Sequence, residues 1–200
     1  MTAQTMKQGL RQSIIAARQN MAAVDCIKYS QSIAARILEL PPYRNAVCVL
    51  GYMSFGAEFL TTAWVQQALR DGKQVFLPKV NSSSKQLDLY QVKDLQLDVA
   101  PGLWNIPEPL PTRCVKVDVL EQLDFILLPG VAFTRQGSRL GYGGGFYDKL
   151  LARIEQNEGQ PALVAAAFDL QLVSDIPQEA TDRKVQWVLT ENEVIDCSAN

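Results

Sequence analysis

The sequence predicts an α/β fold: a single domain over residues 1–200, with a mostly parallel (mixed) central sheet and helices on both faces, a Rossmann-like three-layer architecture. Three observations predict it. Short continuous apolar runs, such as AVCVLGY (46–52) and DFILLPGVAF (124–133), have strand length and read as strands covered on both faces. Stretches with apolar residues at helical spacing alternate with them. Around 46–78 the order is strand, helix, strand, which favours parallel pairing. With 48% hydrophobic and 20% charged residues, the chain can bury a sizeable core.

Taken in order, residues 3–20 read as a helix, with Leu10, Ile14, Ala17 and Met21 at helical spacing. Lys7, Arg11 and Arg18 share another face of it. A second helix covers 25–39; Asp25 suits an N-cap, Ile33, Ile37 and Leu40 are apolar, and Pro41-Pro42 stops it. This N-terminal helical pair, within 1–40, is expected to pack on the sheet. After the strand at 46–52, residues 61–71 read as a helix capped by Thr61 or Thr62 and ended by Gly72. KQVFLP (73–78) is the next strand, and QLDLYQV (86–92) alternates like a half-buried, antiparallel one. Four prolines make 101–113 a loop. The run 124–133 is a strand, 145–156 a helix, and PALVAAAF (161–168) and KVQWVLT (184–190) are strands. Residues 191–200 are expected to form a flexible tail.

Composition excludes several kinds of chemistry. There is no histidine, so histidine bases, Ser-His or Cys-His nucleophiles and histidine metal ligands are ruled out. Net charge is −2, which argues against a dedicated nucleic-acid binder. Cys26, Cys48, Cys114 and Cys197 are scattered, as free thiols of a reducing compartment are. No apolar leader precedes a cleavage-like site, and no stretch reaches the ~18 apolar residues of a membrane span. The expectation is a cytoplasmic monomer acting on small molecules, with no nucleic-acid or membrane partner.

RLGYGGGFYDK (139–149) carries four of the twelve glycines. It is not a Walker A loop, since no Gly-Lys-Ser/Thr occurs, and it fails the G-x-G-x-x-G fingerprint. Its order is nevertheless buried strand, turn, glycines, amphipathic helix. Glycines let backbone N–H groups approach a ligand, and a helix N-terminus adds partial positive charge. Arg139 would reinforce an anion site. Asp148, a poor neighbour for a bare phosphate, makes sense beside one if Mg²⁺ lies between them. The competing reading is a tight connection in which Asp148 merely offsets the helix dipole.

LPGVAFTRQGSRLGYGGGFYDKLL (128–151) is similar to the signature of the 5-formyltetrahydrofolate cyclo-ligases, or methenyltetrahydrofolate synthetases. Further matches follow in family order: Lys7 and Arg11 on the first helix, Glu58 to Thr61, Leu77-Pro78-Lys79, Trp104-Asn-Ile106-Pro-Glu108-Pro109, and Asp182 before the last strand. The resemblance implies ATP- and Mg²⁺-dependent closure of 5-formyltetrahydrofolate to 5,10-methenyltetrahydrofolate, with ADP and phosphate released. By resemblance, ATP is bound by Lys7, Arg11, Arg139, Leu140, Gly141, Tyr142, Gly143, Gly144, Gly145, Phe146 and Tyr147. Arg139, Tyr147 and Asp148 are implied to be catalytic. Asp148 and Asp182 would serve the metal. Met53, Glu58, Trp104 and Gly143 to Gly145 would line the folate site, Glu58 taking the N–H groups of the pterin. The chain departs from the family's habit at Thr134 and at Gln186-Trp187, where acids are common. The alternative is a divergent nucleotide- or folate-binding regulatory or salvage protein without ring closure. Fold alone would also admit a sugar-phosphate or coenzyme A-transferring enzyme.

Overall fold

The structure is a computed structural model describing residues 2–118, 120–179 and 182–198, with the Trp104 side chain outside the described set. The chain opens with α1 (Ala3–Gln19), whose Thr2 cap accepts the Thr5 N–H at 3.2 Å, and α2 (Ala23–Glu39). Ala22, not Asp25, takes the N-cap position of α2; Asp25 sits in the first turn, where its charge suits the dipole. Pro41 and Pro42 end α2 and open a short helix, α3 (Pro41–Asn45), because proline is pre-organised for a first turn.

The elements that follow are β1 (Cys48–Leu50), α4 (Thr62–Arg70), β2 (Gln74–Asn81) and β3 (Gln86–Val92). The segment expected as loop holds a small hairpin, β4 (Val99–Pro101) with β5 (Pro107–Pro109); prolines are tolerated there because only one ladder has to form. Then come β6 (Val115–Val117), β7 (Phe125–Leu128), β8 (Ala132–Phe133), β9 (Arg139–Leu140) and α5 (Phe146–Gln156). The predicted strand over 124–133 is thus broken after Leu128, at Pro129-Gly130. A Cβ on Gly130 would meet the Phe133 ring at 2.4 Å, so the bend requires glycine. The chain closes with β10 (Ala162–Ala166), β11 (Trp187–Leu189) and β12 (Val194–Asp196).

Eight strands form the main sheet in the order β12-β11-β10-β7-β1-β2-β3-β6. β11, β10, β7, β1 and β2 are parallel; β12, β3 and β6 add antiparallel edges. Residues alternate between the two faces as a pleated strand requires. Val49, Val75, Phe125, Leu127 and Val164 pack under α2 and α4 with Ile33, Ile37, Trp64 and Ala68. Leu50, Phe76, Ile126, Leu128 and Ala165 face the other way, onto Leu150, Leu151 and Ile154 of α5. Parallel strands in such runs carry apolar residues on both faces, which explains the unbroken apolar stretches in the sequence.

Two expectations are corrected. The N-terminal helices do not both lie on the sheet: α2 does, whereas Ile14 of α1 packs on Val131, Ala132, Leu140 and Ile176 in the connections beyond the strand ends. Nor is 191–200 a tail throughout, since Val194–Asp196 pairs antiparallel with Trp187–Leu189 and buries Ile195. Among the described residues, no helix is long and apolar enough to cross a membrane.

Topology also places a crevice. From β1 the chain moves through α4 to β2 on one side; from β7 it moves through α5 to β10 on the other. β1 and β7 are parallel neighbours, so the winding reverses between them. Ligands of open α/β sheets gather outside the carboxyl ends of strands at such a reversal. Here that means the connections starting at Gly51 and at Pro129.

Candidate active site

The connection after β1 is built around its own polar groups. Gly51 is required where it leaves the sheet, because a Cβ there would meet the Trp64 ring at 2.6 Å. Thr61 takes the N-cap position of α4 without a side-chain cap bond; its hydroxyl instead accepts the Ser54 N–H at 2.9 Å. Glu58 Oε2 accepts the Phe55 N–H at 2.7 Å, and Ser30 of α2 accepts the Leu60 N–H at 3.0 Å. The result holds the Glu58 side chain inward, at 5% exposure.

The glycine loop leaves the hairpin of β8 and β9. Arg139 is buried there; its Nη1 donates to Pro129 O at 3.2 Å and its Nη2 to Asp148 Oδ1 at 2.5 Å. Tyr142, Gly143 and Gly144 are exposed, Gly143 has φ +99°, and Gly145 (φ +66°) is the N-cap of α5. Neither φ suits a side chain. No side chain caps the first turn of α5, so its N–H groups face outward beside the glycines, the arrangement that binds anions.

α1 lies across this loop with its basic face inward. Lys7 Nζ is 2.9 Å from Asp182 Oδ2 and 3.6 Å from Glu179 Oε1. Arg11 Nε donates to Gly141 O at 2.8 Å. Arg18 Nη2 donates to the Tyr142 hydroxyl at 2.6 Å, with its guanidinium 5.7 Å from the ring centre. That hydroxyl in turn donates to Glu58 Oε1 at 2.5 Å. Helix, glycine loop and β1 connection are thus joined through one phenol.

Burial pushes the Glu58 carboxyl above its ordinary range, while bonds from Tyr142 and Phe55 and the Arg18 charge partly offset this. Burial and then the nearby Glu58 charge raise the Tyr147 phenol, so it stays protonated at neutral pH. Asp182 is pushed up by burial but held below its ordinary value overall by Lys7, the Glu179 N–H and the Arg139 charge.

The predicted residues separate into those gathered at the crevice and those used for packing. Lys7, Arg11, Glu58, Arg139, Gly141 to Gly145, Tyr147, Asp148 and Asp182 converge on it. The Leu140 side chain is core under α1, and Phe146 and Met53, both half-buried, pack against the two sheet cores. Trp104 was assigned to the folate site; its side chain lies outside the described residues. Its turn, Leu103–Asn105, joins β4 to β5, and Lys79 at β2 holds that hairpin through Glu108 at 2.7 Å. Thr134 and Gln186, the departures from family habit, are used locally: Thr134 Oγ1 accepts the Ser138 N–H, and Gln186 Oε1 accepts the Leu163 N–H. The sequence reading gave no site role to Arg18 or to the Lys79–Glu108 pair. The shared helical face of Lys7, Arg11 and Arg18 was the available signal for Arg18.

Fold and site define an α/β protein with a cation-lined glycine loop at the reversal of its sheet. The family model described as the 5-formyltetrahydrofolate cyclo-ligase family matches residues 3–191, and the chain belongs to that family. The Escherichia coli (strain K12) 5-formyltetrahydrofolate cyclo-ligase is 35% identical over 169 residues, covering 82% of this chain and 88% of that one. A probable 5-formyltetrahydrofolate cyclo-ligase of Caenorhabditis elegans is 29% identical over 195 residues, with 95% of each chain covered. The solved structure of Aquifex aeolicus 5,10-methenyltetrahydrofolate synthetase superposes with a TM-score of 0.84 at 29% identity, covering 98% of this chain and 94% of that one.

Proposed function

We propose that the protein closes 5-formyltetrahydrofolate to 5,10-methenyltetrahydrofolate at the expense of ATP. The observation that carries this is the adjacency of the buried carboxylate Glu58 and the exposed glycine loop, bridged by Tyr142. One end recognises N–H donors of a heterocycle and the other an anion. In the reaction, the formyl oxygen of substrate attacks the γ-phosphorus, forming an O–P bond as the bond to ADP breaks. N10 then attacks the activated carbon, loses its proton, and the C–O bond breaks to release phosphate. Phosphoryl transfer asks the protein for positioning and charge neutralisation, which a chain without histidine can supply. Lys7, Arg11 and Arg139 neutralise the phosphates with the N–H groups of α5. Glu58 orients the pterin. Tyr147, held as a phenol, serves as a hydrogen-bond donor and not as a base.

The family's reaction also implies Mg²⁺. Among the described residues no group of three or more Asp, Glu, Cys or His gathers as a closed cation site. Mg²⁺ does not need one; it takes one or two carboxylates together with substrate phosphates. Asp148 gives one oxygen to Arg139, and Asp182 directs Oδ2 to Lys7 and the Glu179 N–H, which leaves a second oxygen on each. Both acids flank Arg139, which pairs with one and acts on the other through its charge. The donor set fits the ion. Asp148 and Asp182 would hold it, and it would supply neutralisation of phosphate charge.

The reading also implies a monomer working in the cytoplasm, to be checked by sedimentation and by fractionation. The deciding assay mixes protein, 5-formyltetrahydrofolate, ATP and Mg²⁺ and follows methenyl product by absorbance. No product, or product formed without ATP, would overturn the proposal and leave a regulatory binder. Arg139→Ala and Asp148→Ala should each cut turnover by about 100-fold or more while the protein stays folded by circular dichroism.

A further inference from the structure

Glu58 is 5% exposed, whereas Tyr142, which is bonded to it, is 44% exposed. The phenol therefore forms the outer layer over the carboxylate. Both Glu58 oxygens are already engaged, Oε1 by the Tyr142 hydroxyl and Oε2 by the Phe55 N–H. A ligand from solvent reaches this acid only if its cover moves. Phe55 belongs to the same tight connection as Glu58, but Tyr142 belongs to a different one and lies between two glycines. Gly143 has φ +99°, is exposed and carries no side chain of its own, so the backbone beside Tyr142 has a turning point there, with the Arg11 guanidinium alongside.

We infer that Tyr142 is a latch on Glu58, standing in the unliganded protein where the N–H donors of the folate ring bind, and that substrate displaces it. The inference rests on the proposed role of Glu58 in recognising the pterin. Arg18 makes the exchange feasible. It is 4% exposed, and its charge acts on Glu58 directly as well as through the phenol. When the phenol leaves, Glu58 keeps that charge beside it instead of being left alone in a buried site.

The latch also couples the two substrates. Tyr142 is part of the loop proposed to hold phosphate, and Arg11 grips its neighbour Gly141. Folate arriving at Glu58 thus displaces a residue of the ATP loop. By linkage, ATP must alter folate affinity by the same factor.

The test is titration calorimetry of 5-formyltetrahydrofolate into the wild type, Tyr142→Phe and Glu58→Gln, with and without a non-hydrolysable ATP analogue. Tyr142→Phe keeps the ring against Arg18 and removes the hydroxyl, which is both the competing donor to Glu58 and the acceptor of the Arg18 bond. It should bind folate about three- to tenfold tighter without nucleotide, the value of one net hydrogen bond. The effect of the analogue on folate affinity should shrink in the same variant. Tightening is not an effect that a merely structural tyrosine would give. If Glu58→Gln loses folate binding but Tyr142→Phe binds no tighter than the wild type, or keeps the full nucleotide effect, the latch is wrong and the reading of Glu58 stands. If Glu58→Gln binds folate like the wild type, that reading falls and the latch with it.

Discussion

α1 and α2 are both 17 residues long and adjacent in the chain, yet they bury opposite kinds of residue. α2 buries Ser30, Ile33 and Ile37 against the sheet. α1 buries Lys7, Ile14 and Arg18 against the loops beyond the strand ends. Burying a cation is costly unless it is paired, and each has a partner: Asp182 for Lys7, the Tyr142 hydroxyl for Arg18. A helix that buries aliphatic groups is holding the fold. One that buries paired cations is enclosing a site and is kept there partly by the groups that site needs.

That division can be broken by substitutions on each helix. The largest effect on stability belongs to α2. Ile37 is fully buried, so Ile37→Ala should cost about 2–5 kcal/mol in urea unfolding. Turnover per folded molecule should change little, because Ile37 is far in role from the crevice. Lys7→Met should do the reverse. It keeps the aliphatic stem but removes a charge-assisted bond, so the stability loss should be smaller, about 1.5–3 kcal/mol. Its main effect should be on the KM for ATP, rising roughly 10-fold or more. Equal losses of turnover from both variants would erase the distinction between the helices.

The difference between the helices also marks what was legible beforehand. Apolar runs such as ILL at 126–128 declare strands, because a parallel strand needs apolar residues on both faces. Amphipathic spacing declares that a helix has a buried face but not what covers it, so the basic face of Lys7, Arg11 and Arg18 is visible in α1 while its burial against loops is not. β12 was missed because three residues with only Ile195 buried leave too short a pattern. The hairpin of β4 and β5 was hidden by its prolines. Of the site, the glycine loop was visible because its peculiarity is local. The relay from Arg18 through Tyr142 to Glu58 was not, since its two bonds span 124 and 84 residues and depend on the whole fold to bring them together.

The smallest expected effect concerns pH, and it separates the two acids that answer the cations of α1. Asp182 is held below its ordinary value of 3.8 in the folded protein. Below that value the unfolded chain binds the proton first, so stability falls as pH drops through this range. Glu58 is raised above 4.5, chiefly by burial. Between 4.5 and that raised value the folded protein holds a proton the unfolded chain has released, so stability falls as pH rises. The two contributions have opposite slopes in adjacent windows. Urea midpoints measured across the acid range should show Lys7→Met flattening the limb below 3.8 and Glu58→Gln flattening the one above 4.5. If Glu58→Gln left the upper limb unchanged, burial of the carboxylate under Tyr142 would not be what sets its proton affinity.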